Sequence, residues 1–394
     1  LIPTQEKSSP RDASDAPTGA TESSSRASAR PGVFLMIDSL QTGGSERQFV
    51  ALSRCLDPEQ FRVNLGCIQA KGTFLDGINV EKFPLGGSLY GFRSLKTRMR
   101  LRRKLREQRI AIAHAFDFYA NLTLVPSARL ARVAVVIGSQ RQLGDLLTPL
   151  QSRAQAMMFR WCDAVVCNSN AAAQRLIDDG LAPSKVTVIW NGLAPEVFAG
   201  AAPALLRRPG WVRAGMIARM NSLVKNHSLL LRAAARIKDN VPPVEFVMAG
   251  DGPLRPTLEQ EAASLGLGEH VRFLGDRGDI AAILASLDLT VLPSNSESLS
   301  NAILESMAAG VPVVASNVGG NPELVSEDRG ILVSAGEETS LADAILRLAQ
   351  NESLRIQMGQ NCRRFAVENF SLDQMRRRHE ALYTELLARK GNVV

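Results

Sequence analysis

The sequence predicts an α/β protein in two halves, each a parallel sheet covered on both faces by helices. Short apolar runs of strand length alternate with segments whose apolar residues recur at helical spacing, the pattern of linked βα units. Strands buried on both faces read as near-continuous apolar runs, as these do. The alternation starts twice, at Val33 and at Trp211, and the stretch 193–210 between the starts is rich in Ala, Pro and Gly. A chain of 394 residues also exceeds what one ordinary core serves and suits two domains. The expected division is a first domain over 32–195, a linker over 196–210 and a second domain over 211–371.

Residues 1–31 are rich in Ser, Ala, Pro and Thr with almost no large apolar side chain. They cannot bury enough surface to offset ordering entropy and are expected to be disordered. They hold no apolar h-region, so no signal peptide is expected. Order begins at Val33–Ile37, read as a buried strand, followed by the loop DSLQTGGSERQ and by Phe49, Val50, Leu52 and Leu56 at helical spacing. Gly43-Gly44 at that helix start lets backbone approach a ligand, as a phosphate-binding turn does. A plain turn uses the same dipeptide; its place directly after the first strand favours the phosphate reading. Arg62–Ile68 reads as the second strand. Phe92–Ile110 reads as a helix dense in Arg and Lys, with an apolar stripe of Leu95, Met99, Leu101 and Leu105. That pattern serves equally as a solvated charged face or as a dock on an anionic membrane surface.

Ile110–Ala113 is a short strand with His114 at its end. A His there is structural or, because ligands lie at the carboxyl ends of strands in such sheets, part of a site. Further strands at 133–137, 164–167 and 186–190 enclose a polar loop, GSQRQLGD, a helix over 156–161, and the N-cap signal Asn168-Ser169 before a helix over 171–177. The second half opens with a strand from Trp211 to Met216. Arg219 and Lys225 then flank a loop before a helix whose Leu230, Ala234 and Ile237 share one face. Cations at a helix start oppose the macrodipole; they fit if an anion sits between them, and otherwise are solvated loop residues. Strands at 244–248 and 271–275, the loop DRGDI at 276–280, and helices at 341–349, 353–368 and 372–388 complete the half.

The most informative stretch is 291–324, VLPSNSESLSNAILESMAAGVPVVASNVGGNPEL. An apolar run from Leu287 stops at Pro293, a polar loop holds Glu297, and Ala302, Ile303, Met307 and Ala308 fall at helical spacing until Gly310 and Pro312. Val311–Ala315 is a second strand. This strand–loop–helix–strand unit puts a helix N-terminus at the carboxyl edge of a sheet, where free N–H groups favour a phosphate. Glu297 and Glu305 would repel phosphate if they touched it, but as acceptor-only groups they suit sugar hydroxyls. Phosphate at one end and sugars at the others describe a nucleotide sugar. Taken by spacing alone, the same pair reads as readily as a solvated loop residue and a helix-face residue.

Composition narrows the classes. Hydrophobic residues make up 45% and charged residues 22%, as in a globular protein, and no apolar stretch approaches a membrane span. The five cysteines are scattered without a C-x-x-C pair, so neither a zinc site nor a disulfide framework is expected, and a reducing cytoplasm is the simplest compartment. A net charge of +7 points to nucleic acid, anionic lipid or an anionic small substrate. With 5% aromatic residues and no Arg/aromatic interleaving, nucleic acid ranks last.

The stretch 291–324 resembles the donor-site signature of the family-4 retaining glycosyltransferases, PS…E-x7-E…A-x-G-x-PVV…GG-x-PE. Glu297 and Glu305 hold the two Glu positions, and Gly310, Pro312, Gly319, Gly320, Pro322 and Glu323 hold the rest. Asn168-Ser169, Asn191-Gly192 and the GDGP at 250–253 match further landmarks, so the resemblance covers nearly everything from Val33 onward. It implies the GT-B architecture, two Rossmann-like domains facing across a cleft, with the last helix, 372–390, crossing back to the first domain. It implies that Gly43 and Gly44 lie beneath the donor phosphate, that Arg219 and Lys225 bind the diphosphate, and that His114 lies near the transferred sugar. The expected catalytic set is therefore His114, Arg219, Lys225 and Glu297. The expected donor-binding set is Gly43, Gly44, Arg219, Lys225, Glu297, Ser298, Leu299, Ser300, Asn301 and Glu305. The run Ser298-Leu299-Ser300-Asn301 departs from the family's aromatic and small residues, which leaves the sugar open.

The implied reaction is retaining transfer from a nucleotide-diphosphate sugar to a hydroxyl of a saccharide or lipid-linked saccharide, in surface or extracellular polysaccharide synthesis. Stabilising the leaving diphosphate is its main task. No residue stands out as a covalent nucleophile, which suits front-side attack with the leaving phosphate as base. No DxD-type pair appears, so no metal and no cofactor beyond the co-substrate are expected. The expected setting is cytoplasmic, peripheral on the inner face of the membrane. Two other readings share the architecture: a nucleotide-sugar epimerase, and a two-lobed binding protein for an anionic ligand, against which the missing signal peptide counts.

Overall fold

The computed structural model describes residues 30–391 apart from Thr42, Ser88, Tyr90 and Leu146. Most of the segment expected to be disordered, 1–29, thus lies outside the described residues, as does Ser88 of the loop at 86–88. The chain forms two wholly parallel sheets. The first has seven strands: β1 (Gly32–Ser39), β2 (Arg62–Gln69), β3 (Glu81–Lys82), β4 (Ile110–Ala115), β5 (Val135–Gln140), β6 (Ala164–Cys167) and β7 (Val186–Val188), in the order β3-β2-β1-β4-β5-β6-β7. The second has six: β8 (Val212–Ile217), β9 (Val244–Ala249), β10 (Val271–Gly275), β11 (Leu289–Leu292), β12 (Val313–Ser316) and β13 (Gly330–Val333), in the order β10-β9-β8-β11-β12-β13.

The apolar run in β1 explains how helices come to cover both faces of the first sheet. Successive side chains of a strand point to opposite faces. Val33, Leu35 and Ile37 pack toward helix α1 (Gly44–Cys55) and the final helix, Leu372–Gly391. Phe34 and Met36 pack into a second core under four helices, α2 (Phe92–Glu107), α3 (Phe118–Ala131), α4 (Pro149–Arg160) and α5 (Asn170–Asp178). Local signals start these helices. Thr148 forms a capping box with Gln151 ahead of Pro149, and Ser169 Oγ accepts from the Ala172 N–H at 3.1 Å.

Helix α2 departs from the expected pattern. It ends at Glu107, because Ile110 already belongs to β4. Its buried side is Ser94, Thr97, Leu101 and Leu105, while Leu95 and Met99 are 57% and 62% exposed beside the outermost Phe92. The small polar residues go inward because backbone carbonyls receive them: Thr97 Oγ1 donates to Pro84 O at 2.7 Å and Ser94 Oγ to Leu89 O at 2.9 Å.

The chain passes between the sheets at one place. Leu193 N–H donates to Phe370 O at 2.7 Å, and Leu372 N–H donates to Leu193 O at 2.9 Å. The final helix then lies on the first sheet, burying Met375, Leu382, Tyr383 and Leu386 against α1 and β1. Among the described residues, no helix is long and apolar enough to cross a membrane.

Candidate functional site

The carboxyl ends of the two sheets face each other across a cavity of about 470 Å³, and the loops after β1, β5, β8, β9 and β11 all line it. On the first-domain wall, α1 begins at Gly43-Gly44 with no side-chain cap, so its positive end is open to the cavity. The two walls come close here: a Cβ on Gly44 would lie 2.9 Å from Asn301 Nδ2 of the opposite domain, the end of a side chain that would have to shift. On the other wall stand Arg219, exposed after β8, and Lys225, at the end of the short helix Leu223–Lys225. Lys225 Nζ pairs with Glu297 Oε1 at 2.5 Å, and the same oxygen accepts from Ser294 Oγ at 2.8 Å. Glu297 Oε1 thus holds the lysine at the wall of the cavity.

Glu305, in the helix Asn301–Ala308, is buried and ion-paired with Arg47 of α1. Burial pushes its carboxyl up, and Arg47 opposes that shift. Ser298, Leu299, Ser300 and Asn301 all line the cavity, and their side chains have partners within the protein. Ser298 Oγ donates to Asn168 Oδ1 at 2.6 Å, Leu299 is buried in the core, Ser300 caps the helix at Ile303 N–H, and Asn301 Oδ1 accepts from Asn191 Nδ2 at 2.7 Å.

The expected placement of His114 beside the transferred sugar is corrected by the structure. His114 is 0% exposed; its Nδ1 lies 2.7 Å from Tyr383 Oη and its Nε2 2.8 Å from Ser139 Oγ. Both nitrogens are engaged, so His114 pins the final helix to the first sheet and presents no face to the cavity. Burial pulls His114 and its neighbour His379 below the ordinary 6.5, His379 to about 4. A depressed base takes up its proton more readily unfolded, so its stability contribution, full above pH 6.5, is lost as pH falls from 6.5 toward about 4. Thermal melts across that window should show a shallower acid loss in His379→Gln than in the parent; parallel curves would mean that His379 is not held neutral.

Several residues of the cleft carried no sequence signal. Arg141 lies in what reads as a plain polar loop, yet it is buried, donates to Asn191 Oδ1 at 2.5 Å, and lies 5.4 Å from the Phe116 ring centroid. Burial pushes its guanidinium down to about 10. Arg141 and Arg219 also line a second cavity of about 480 Å³, on the first-domain side, with Asp38, Glu46 and Asp117. Burial raises all three carboxyls above the usual range; repulsion by Asp117 adds to the rise at Asp38 and Glu46, whereas Ser45 and Arg141 oppose it at Asp117. Asp38 accepts the first N–H groups of α3, from Tyr119 at 3.0 Å and Ala120 at 2.5 Å. Asp117 sits at φ 69°, ψ 174°, a conformation rare outside glycine that costs about 1–3 kcal/mol.

The Gly-Gly-x-Pro-Glu segment closes the site. A Cβ on Gly319 would meet Glu297 O at 1.7 Å, and one on Gly320 would meet Ser298 O at 1.9 Å. Glu323 reaches the first domain and accepts from the Asn170 and Ala171 N–H groups, each at 2.9 Å, capping α5.

Residues 42–197 match the family model described as Glycosyltransferase Family 4, and residues 212–351 match the one described as Glycosyl transferases group 1. The lipopolysaccharide core biosynthesis glycosyltransferase LpsE of Rhizobium meliloti (strain 1021) is 32% identical over 63% of this chain and 69% of its own length. The UDP-Gal:alpha-D-GlcNAc-diphosphoundecaprenol alpha-1,3-galactosyltransferase of Escherichia coli is 27% identical over 88% of this chain and 95% of its own. Among solved structures, Anabaena Alr3699/HepE in complex with UDP superposes with a TM-score of 0.78 and 22% identity, covering 90% of this chain and 100% of that one. The two-sheet architecture is the GT-B fold expected from the sequence.

Proposed function

Since the chain belongs to the family-4, group 1 glycosyltransferases, we propose that it moves a sugar, with retention, from a nucleotide-diphosphate sugar to a hydroxyl of a saccharide or lipid-linked saccharide, in the synthesis of a surface or extracellular polysaccharide. One observation carries this reading. The cavity between the sheets opposes Arg219 and Lys225 to the uncapped start of α1, with buried Glu305 beside them. Such a site holds a diphosphate between positive groups and a ribose at a carboxylate. The E. coli relative's name, with its UDP-Gal donor and diphosphoundecaprenol-linked acceptor, and the UDP in the Anabaena complex support the donor and acceptor classes.

Charge developing on the leaving diphosphate would meet Arg219 and Lys225, the latter already held in place by Glu297. Glu297 is occupied by Lys225 and Ser294, which favours attack by the acceptor hydroxyl itself over a covalent route. Metal independence follows if the two cations do a metal's work; among the described residues no group of His, Cys, Asp and Glu is arranged to hold an ion. Incubation with a panel of nucleotide sugars, without acceptor, tests the reading. Slow hydrolysis of one donor is expected; rapid epimerisation, or neither binding nor turnover, would refute it.

Glu305 should hold the ribose hydroxyls once Arg47 yields it. Hydrogen bonds to a charged group are worth about 1.5–3 kcal/mol each, so Glu305→Ala should weaken nucleotide binding roughly ten- to a hundredfold. Equal affinities by calorimetry in parent and variant would remove this role.

Helix α2 would bring the enzyme to the inner face of the membrane from the cytoplasm. Its exposed Phe92, Leu95 and Met99 stand among Arg and Lys residues, each cation contributing about 1 kcal/mol near an anionic surface. Co-sedimentation with anionic vesicles should be strong at low salt and fade as screening shortens to about 8 Å. Equal binding to neutral vesicles, or none, would leave α2 a solvated face.

A further inference from the structure

We propose that the groove between α4 and α5 seats the carrier of a lipid-linked acceptor, an apolar isoprenoid-type chain bearing a diphosphate. The groove, about 470 Å³, is walled by Leu147, Met157, Leu176 and Leu181 and edged by Arg153 and Arg160. Arg175, also at the groove, is held by Asp179 at 3.3 Å. Arg153 and Arg160 are exposed and have no ion-pair partner among the described residues. Exposed cations along an apolar trough complement a ligand that is apolar along its length and anionic at its head.

Continuity with the cleft makes this a part of the acceptor site. Gln140, Gly144, Leu147 and Gln155 line both the groove and the pocket of Asp38, Glu46 and Asp117. That pocket in turn shares Ser45, Arg141 and Arg219 with the donor cavity. The pocket's three carboxyls, which outnumber its Arg141 and Arg219, suit uncharged hydroxyls, whereas Arg153 and Arg160 at the groove have no ion-pair partner among the described residues and favour a phosphate. Charge thus sorts such an acceptor: the sugar enters the carboxyl pocket with a hydroxyl toward the donor, and the diphosphate and chain run out between α4 and α5. The outer surface there is apolar too, with Leu150 75% exposed and Trp161 48%. It lies on the layer of helices that includes α2, since α2 to α5 share one core.

The inference rests on the transferase reading for what fills the carboxyl pocket, but its test needs no turnover. Farnesyl diphosphate serves as the probe, titrated by calorimetry with saturating UDP present to occupy the donor cavity. Binding is expected, at least tenfold tighter than inorganic diphosphate, and at least tenfold weaker in the double variant Arg153→Glu, Arg160→Glu and in Met157→Asp. All three side chains are exposed, so the fold should persist, and circular dichroism checks that it does. Absence of binding, equal affinity in parent and variants, or inorganic diphosphate binding as tightly would overturn the proposal. Donor hydrolysis without farnesyl diphosphate binding would sink the groove alone; the converse would sink the donor reading alone.

Discussion

Sugar transfer by Lys225→Ala should be slower than by the parent by about 10²–10³-fold, the usual cost of removing one group aimed at developing transition-state charge. Arg219→Ala should lose a similar factor. The two differ in their surroundings, and that gives the test its force. Arg219 is exposed, so its removal disturbs little else. Lys225 is bonded to buried Glu297, and its removal leaves a carboxylate with Ser294 alone as side-chain partner among the described residues. Part of the Lys225→Ala loss should therefore return in the double variant Lys225→Ala, Glu297→Gln. If both cations act on the leaving diphosphate, kcat should fall more than KM rises. A variant with unchanged kcat and a lowered melting temperature would make the cation structural.

The second large effect is expected at Gly319 and Gly320. A side chain at either position would drive into a backbone carbonyl, of Glu297 at 1.7 Å or of Ser298 at 1.9 Å, and backbone cannot step aside as a flexible side-chain end can. Gly319 also has φ +49°, in the left-handed region that costs other residues about 1–2 kcal/mol. Overpacking adds about 1–3 kcal/mol. Gly319→Ala should therefore lower stability by about 2–5 kcal/mol and displace the turn that carries Glu297, weakening nucleotide binding at the same time. Gly336→Ala is the control: φ is +79° but nothing lies within 4 Å of the added Cβ, so only the backbone cost should appear. Denaturant melts and calorimetry decide it; equal losses at Gly319 and Gly336 would mean that the carbonyl contact is unimportant.

Much of this arrangement was legible because buried parallel strands are written as apolar runs. Val33–Ile37, Ala164–Cys167 and Val244–Met248 all fall in strands. Helix α3 was invisible: it is buried on most of its surface and holds Pro126, so its apolar residues show no one-sided period. The stripe read along α2 mixed two sides, because Ser94 and Thr97 find carbonyl partners inside while Leu95 and Met99 stay outside. In the site, glycines and charges with special spacing could be read. Arg141, Arg47 and Asp117 could not, since what sets them apart is partners distant in sequence or an unusual backbone angle. His114 shows the opposite error: a strand's carboxyl end is where ligands lie, but Tyr383, far along the chain, already occupies its ring.

The double passage at Leu193 and Ser371 bears on how such a molecule can be recombined. The two crossings run side by side, joined as an isolated parallel bridge, and the last helix completes the first core. The domain of the second sheet is thus an insert within that of the first, not its neighbour. A single crossover that swapped everything after residue 193 would strip the first domain of its own closing helix. Exchange as a cassette with both junctions at this bridge would keep it, and insertions whose ends lie close together are the ones domains tolerate. Chimeras cut at both places should fold where chimeras cut at one should not, making exchange of the second domain a two-junction event.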